Sequence, residues 1–189
     1  HDIRYIGRIG VRDDDYEPLV IDWRAPAAEA FYRATPSNPM DVIRRRVLRC
    51  RNDLVVGIED DLLDANAETD LVVIGEGALM ASLSRARGPR MRDIVATIQP
   101  EQDEIVRSGL GGTVCVQGGP GTGKTAVGLH RVAYLLYAHR ERLARTGTLV
   151  IGPNKSFLHY SEQVLPALGE LSVQQATVDD LVAQVEVRG

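Results

Sequence analysis

The sequence predicts an α/β fold: a parallel sheet flanked by helices, incomplete within this chain, preceded by a small antiparallel β-rich region. Three observations carry that reading. Gly118-Gly119-Pro120-Gly121-Thr122-Gly123-Lys124-Thr125 fits the phosphate-loop pattern G-x-x-x-x-G-K-[ST] without a mismatch. From that stretch onward, strand-like and helix-like segments alternate, the pattern of parallel strands joined by crossover helices. Ahead of it, residues 4–64 show short apolar runs broken by turn residues, as in an antiparallel sheet.

Residues 5–11 alternate apolar with small or charged side chains, Asp13-Asp14-Asp15 forms a turn, and residues 18–23 are a second apolar run. Residues 42–51 and 54–59 flank Asn52-Asp53, a hairpin with a tight turn. Pro36, Asn38 and Pro39 mark the loop before it. Residues 1–64 are therefore expected to form a small antiparallel sheet, barrel-like in outline. Residues 65–97 read as a connecting segment, with an apolar run at 71–74 and a helix near 78–86. Residues 98–189 read as the first half of a nucleotide-binding domain.

In that last region a helix opens at Gln99-Pro100, where proline's missing N–H costs no helical bond, and runs to about Ser108. Gly109 and Gly111-Gly112 end the segment. Residues 113–117 are the predicted strand before the phosphate loop, with Cys115 expected as a buried thiol. The next helix spans 124–140 and turns Leu129, Val132, Ala133 and Leu136 to the sheet. His130, Tyr134 and Tyr137 share another face, where His130 is expected to pack at an interface rather than bind a ligand. A strand at 147–152, a loop at 153–155, a helix at 156–168, a strand at 172–176 and a helix at 178–185 complete the chain. Ligands of such sheets sit at the carboxyl ends of the strands, here the Gly118 loop and the Asn154 loop.

The loop residues suit a polyphosphate. Glycines let backbone N–H groups turn inward toward phosphate oxygens. The helix starting near Lys124 presents its positive dipole end and unpaired N–H groups. Lys124 is the candidate contact to the β/γ-phosphates, and the Thr125 hydroxyl the candidate Mg²⁺ ligand.

A net charge of −4 argues against a generally basic nucleic-acid coat while leaving room for a local basic strip. Cys50 and Cys115 match no metal spacing, and so few cysteines beside a nucleotide motif point to a reducing cytoplasm. No apolar run approaches the length of a membrane span, and no signal peptide is visible. The first residue is His1, so the chain is expected to be a piece of a larger protein.

Two stretches resemble the strand-ending aspartate that ligates Mg²⁺ in phosphate-loop enzymes: residues 19–22, ending in Asp22, and residues 54–61, ending in Glu59, Asp60 and Asp61. Both precede the loop, whereas that strand follows it, so both are read as ordinary strand-end carboxylates. Arg44, Arg45, Arg46, Arg49 and Arg51 are read as a solvated face paired with nearby acids in preference to a nucleic-acid surface. Arg85, Arg87, Arg90 and Arg92 leave both readings open.

Ile98-Gln99-Pro100-Glu101-Gln102, the Gly123-Lys124-Thr125 ending and the following His130-Arg131-Val132-Ala133-Tyr134-Leu135-Leu136 resemble UvrD/Rep-type superfamily 1 helicases. The resemblance implies a RecA-like P-loop NTPase fold, ATP and Mg²⁺ as cofactors, and Gln102 as the group that reads the adenine edge. A side-chain amide can both donate to and accept from adenine. Gly118, Gly119, Pro120, Gly121, Thr122, Gly123, Lys124 and Thr125 then hold the phosphates, with Lys124 and Thr125 catalytic and Thr125 on Mg²⁺. Pro153, Asn154 and Lys155 sit where such helicases touch the nucleic-acid backbone. Asp22-Trp23-Arg24-Ala25-Pro26, Phe31-Tyr32-Arg33-Ala34-Thr35, Gly75-Glu76-Gly77-Ala78-Leu79-Met80 and residues 91–99 further resemble the HelD-like proteins. These are helicase-like ATPases that bind RNA polymerase and help release it from stalled or inactive nucleic-acid complexes. That likeness extends to about Glu170 and implies RNA polymerase and DNA or RNA as partners.

Two departures stand out. Ala126 occupies a position where many of these enzymes have arginine. The Asp-Glu motif that supplies a metal ligand, and the arginine fingers, lie outside this chain. Phosphoryl transfer depends on such positioned charges, so this segment alone is expected to bind nucleotide weakly and hydrolyse almost none. Two other readings remain: a DNA-repair helicase of the same superfamily without a polymerase partner, and a non-motor interaction module with a structural nucleotide site.

Overall fold

The structure is a computed structural model. It describes residues 2–64, 98–170 and 173–182. The predicted connecting segment, its helix, and the arginines at 85, 87, 90 and 92 lie outside the described residues.

The chain is mixed α/β. Its first sheet joins β1 (Ile6–Gly7), β2 (Val11–Arg12) and β3 (Pro18–Asp22) in the order β1-β3-β2. The expected small antiparallel, barrel-like sheet is met only in part: the described strands of residues 1–64 form two separate sheets, and one pairing is parallel. β1 runs parallel to β3, and only β2 is antiparallel. Residues 5–11 are not one strand but two halves on either side of β3. Four Cα–Cα steps from Gly7 to Val11 reach up to about 14 Å, enough to cross the roughly 9.5 Å between two flanking strand positions.

After Asp22 the chain makes a short 3₁₀ turn, Pro26–Ala28, and helix α1, Glu29–Arg33. The hairpin of β4 (Arg44–Arg51) and β5 (Leu54–Leu62) is a separate two-stranded sheet. Its turn falls at Asn52-Asp53 as predicted, and Asn52 takes the left-handed conformation such a turn needs, at φ 57°. The arginine run behaves as a paired charge face. Arg45 meets Asp61 at 2.8 Å, Arg46 meets Asp60 at 2.6 Å and Arg49 meets Glu59 at 2.6 Å. Hydrogen bonds from Arg46 hold the Asp60 carboxyl below its usual range.

The rest is helical around one parallel strand pair. Helix α2 is Pro100–Arg107, α3 Lys124–Ala138, α4 Arg140–Thr146, α5 Lys155–Ala167 and α6 Val178–Val182. Strands β6 (Leu149–Gly152) and β7 (Gln174–Thr177) pair in parallel on either side of α5 in the sequence. The predicted strand at 113–117 has no ladder partner among the described residues. A strand exists only by pairing its backbone with a neighbour, and β6 pairs with β7 instead. Cys115, expected buried, is exposed for the same reason: no adjacent strand covers it.

One hydrophobic cluster crosses the sequence. Trp23, Ala28 and Tyr32 from the β-rich region pack with Val106 of α2, Val127, Leu129 and Ala133 of α3, and Val164, Leu165 and Leu168 at α5. Leu129 and Ala133 are buried as predicted, while Val132 and Leu136 are only half-buried. The predicted second face of α3 is buried at His130, which stands edge-on to Trp23 with ring centroids 5.4 Å apart. His130 is thus an interface residue.

Charge is buried along the same seam. Asp103 of α2 has no exposed surface and accepts from Arg107 Nε at 2.9 Å and Arg33 Nε at 3.0 Å. Arg107 also donates to the carbonyls of Trp23 at 2.7 Å and Arg24 at 3.2 Å. Arg24 grips Asp22 through two bonds of 2.9 and 2.8 Å, reaches Glu170 at 2.5 Å, and lies 4.7 Å from the centre of the Tyr137 ring. Gly169 permits that approach. A Cβ there would stand 2.9 Å from Arg24 Nη2, and its φ of 95° suits glycine.

Two outcomes follow. Removing one partner of a buried ion pair costs about 3–5 kcal/mol because the other charge is left unpaired. Asp103→Ala is therefore expected to lower unfolding free energy by that order in urea titrations. Burial holds the His130 imidazole below its ordinary pKa, with a hydrogen bond to the Ala126 carbonyl only partly opposing it. The unfolded chain therefore takes up a proton first, so stability is full above about pH 6.5 and falls as the pH drops below it. His130→Phe, which keeps the ring against Trp23, should flatten that part of the stability–pH curve.

Candidate nucleotide-binding site

The phosphate loop is exposed and sits at the start of α3. Gly123 is the residue before the helix, in the left-handed region at φ 84°. The first intrahelical bond runs from Val127 N–H to Gly123 carbonyl at 2.9 Å. The N–H groups of Lys124, Thr125 and Ala126 therefore have no acceptor within the helix. They lie at the positive end of a fifteen-residue helix. Lys124 Nζ folds across the loop and donates to the carbonyls of Gly118 at 2.8 Å and Gly119 at 2.6 Å. Thr122 Oγ1 donates to Gly119 carbonyl at 2.9 Å. The result is a closed bend with a cation at its centre, open to solvent at Pro120 and Gly121.

Gln102 comes from the first turn of α2. Its Oε1 accepts from Gln99 N–H at 3.2 Å, holding the helix entrance, and its Nε2 reaches the Thr122 carbonyl at 3.4 Å. A Cβ on residue 123 would stand 3.2 Å from that nitrogen. The structure thus brings together Gln102 and 118–125, residues far apart in sequence. Asn154 serves its own helix instead. Its Oδ1 accepts from Phe157 N–H at 2.9 Å and caps α5. Pro153 and Lys155 are exposed beside it.

The lookalike metal carboxylates are engaged elsewhere, Asp22 by Arg24 and Glu59, Asp60 and Asp61 by the hairpin arginines. No cluster of three His, Cys, Asp or Glu able to hold a metal occurs among the described residues. Among them, too, no helix is long and apolar enough to cross a membrane.

Sequence reasoning missed the residues that hold the site in place. Arg131 of α3 donates to the carbonyls of Ile105 at 2.9 Å, Ser108 at 2.7 Å and Gly109 at 2.8 Å. It thereby satisfies the end of α2 and fixes that helix to α3. Arg107 and Asp103 were legible as an i, i+4 pair, but nothing local showed that both are buried.

A glycine-rich bend opening a helix, with a cation folded into it and a side-chain amide at its rim, defines a nucleotide-binding element of the phosphate-loop class. Residues 98–151 match the family model of the UvrD/REP helicase N-terminal domain. Residues 1–71 match that of the N-terminal domain of DNA helicase IV HelD. Together the two matches support a HelD-like, UvrD/Rep-type superfamily 1 helicase assignment. No curated protein matches the chain.

Gly123→Ala puts a Cβ into the left-handed region, at about 1–2 kcal/mol, and pushes Gln102 off the loop. Gly119→Ala, whose Cβ would meet nothing nearer than Thr122 Cγ2 at 3.9 Å, is the matched control. Thermal unfolding and nucleotide titration should both show the first substitution as the more damaging.

Proposed function

We propose that this chain is the ATP-gripping part of a motor that uses ATP binding and hydrolysis to remodel RNA polymerase or release it from nucleic acid. The observation that carries the reading is the closed Gly118–Thr125 bend at the N-terminus of α3 with Gln102 against it. The match of residues 1–71 to the N-terminal domain of DNA helicase IV HelD supports a HelD-like motor; the polymerase partner is our proposal from the stretches that resemble the HelD-like proteins.

ATP and Mg²⁺ fit the donor set. Unpaired backbone N–H groups and the Lys124 ammonium are donors only, which suits phosphate oxygens. Lys124 holds two carbonyl oxygens that phosphate oxygens can replace. The Thr125 hydroxyl is the candidate metal ligand, and the Gln102 amide offers a donor and an acceptor to an adenine edge. Bound Mg²⁺ would neutralise charge developing on the phosphates. Pro153, Asn154 and Lys155 are proposed to face the nucleic-acid backbone, with Lys155 the charged contact. Carboxylates and arginines able to stabilise phosphoryl transfer are not gathered at this loop among the described residues. Turnover is therefore assigned to the full-length protein, and binding to this segment.

Lys124→Ala in the full-length protein is expected to abolish ATPase activity. The lost charge-assisted contact is worth about 1.5–3 kcal/mol in binding alone. Wild-type turnover in that variant would overturn the site assignment. Co-purification with RNA polymerase supports the partner. Strand separation without polymerase binding would favour a DNA helicase acting alone.

A further inference from the structure

We infer that Arg33 and Asp103 are positioning residues for nucleotide recognition. The ion pair between α1 and α2 sets where Gln102 lies against the phosphate loop, tying the β-rich region to the base-reading side of the site. This rests on the proposed role of Gln102 and adds what controls it.

Gln102 and Asp103 are neighbours on α2, about 1.5 Å apart along its axis and turned about 100° from each other. One points to the loop and the other to the β-rich region. Gln102 Nε2 reaches the Thr122 carbonyl at 3.4 Å, while Asp103 Oδ2 accepts from Arg33 Nε at 3.0 Å. Arg33 is itself fixed on α1 by an ion pair with Glu29. The far end of α2 is pinned separately, by Arg131 on the carbonyls of Ile105, Ser108 and Gly109. Arg107 joins its last turn to the carbonyls of Trp23 and Arg24. Among the described residues, Arg33 is thus the ion-pair contact from α1 to the first half of α2, where Gln102 lies. A small rotation of α2 that lengthens the Arg33–Asp103 contact carries Gln102 with it. The Gln102–loop contact is at the long end of a hydrogen bond, so a small displacement is enough to break it.

Arg33 is also the right residue to remove. Its side chain is 31% exposed, and Asp103 keeps Arg107 at 2.9 Å when Arg33 is gone, so no buried carboxylate is orphaned. The hydrogen bonds that close the phosphate loop, from Thr122 and Lys124 to Gly118 and Gly119, do not involve it. Its loss is therefore expected to act on base recognition and not on phosphate binding.

The test compares full-length wild-type protein with Arg33→Ala and Arg33→Lys. Each is titrated with ATP, GTP and inorganic tripolyphosphate. Arg33→Ala is expected to weaken ATP binding roughly three- to ten-fold, to leave tripolyphosphate binding unchanged, and so to lower the preference for ATP over GTP. Arg33→Lys keeps the charge and should recover part of that preference. An unchanged ATP-to-GTP ratio in Arg33→Ala overturns the inference. So does an equal loss for ATP and tripolyphosphate, which marks a merely stabilising residue. Gln102→Ala separates the two layers. If that variant keeps the ATP preference, the base-reading role falls and this inference falls with it, whatever Arg33 does.

Discussion

The structure depends on one enclosed guanidinium and the acceptors it finds inside the fold. Arg107 is nearly enclosed, with a side chain only 5% exposed. Arginine stays charged at any ordinary pH, so its donors must find acceptors inside the fold. They find a carboxylate four residues back on its own helix and main-chain oxygens of the Trp23-Arg24 segment. Moving the β-rich region away would strip the guanidinium of those oxygens. The indole of Trp23 and the ring of Tyr32 then pack where the polar contacts have already fixed the chain. Apolar burial supplies most of the driving force, but it is nondirectional. The buried charges choose the one arrangement.

That choice bears on function because the helix it fixes is the helix that reaches the phosphate loop. α2 is only eight residues long and would be marginal alone. It is held at its entrance by Gln102, in its middle by Asp103 and at its end by Arg131. Each of these residues joins it to a different part of the molecule. The glycine bend itself is local and cheap: one left-handed glycine, one lysine laid across two carbonyls, and a helix whose first N–H groups face outward. Positioning the group at its rim takes the rest of the structure.

The chemistry of the loop was legible because its determinants are contiguous. Gly118 to Thr125 must be those residue types in that order for the backbone to bend and the cation to reach, so pattern and geometry coincide. The hairpin at Asn52 was legible for the same reason, and so was the pairing of its arginines with nearby acids. What escaped was everything set by distant neighbours. Residues 113–117 are β-branched enough to read as a strand, yet pairing is a property of two segments, and β6 pairs with β7. The alternation of residues 5–11 concealed a crossing from one side of β3 to the other. Asp22 has the look of a strand-end carboxylate open to a metal. It is sealed by Arg24 two residues on, which Glu170 holds in place from the far end of the chain.

The β4–β5 ribbon carries its own implication. Its ion pairs gather near the root, at Arg45, Arg46, Asp60 and Asp61, while Leu54, Val55 and Val56 beside the turn are each more than half exposed. A further pair, Arg49 with Glu59, lies nearer the turn, and exposed Arg51 stands opposite Leu54 at the tip, so the apolar stretch of β5 lies beside charge on β4. Salt weakens the ion pairs by screening and leaves the apolar stretch's aversion to water intact. Leu54, Val55 and Val56 are thus better suited to another apolar surface than to solvent, whatever the ionic strength.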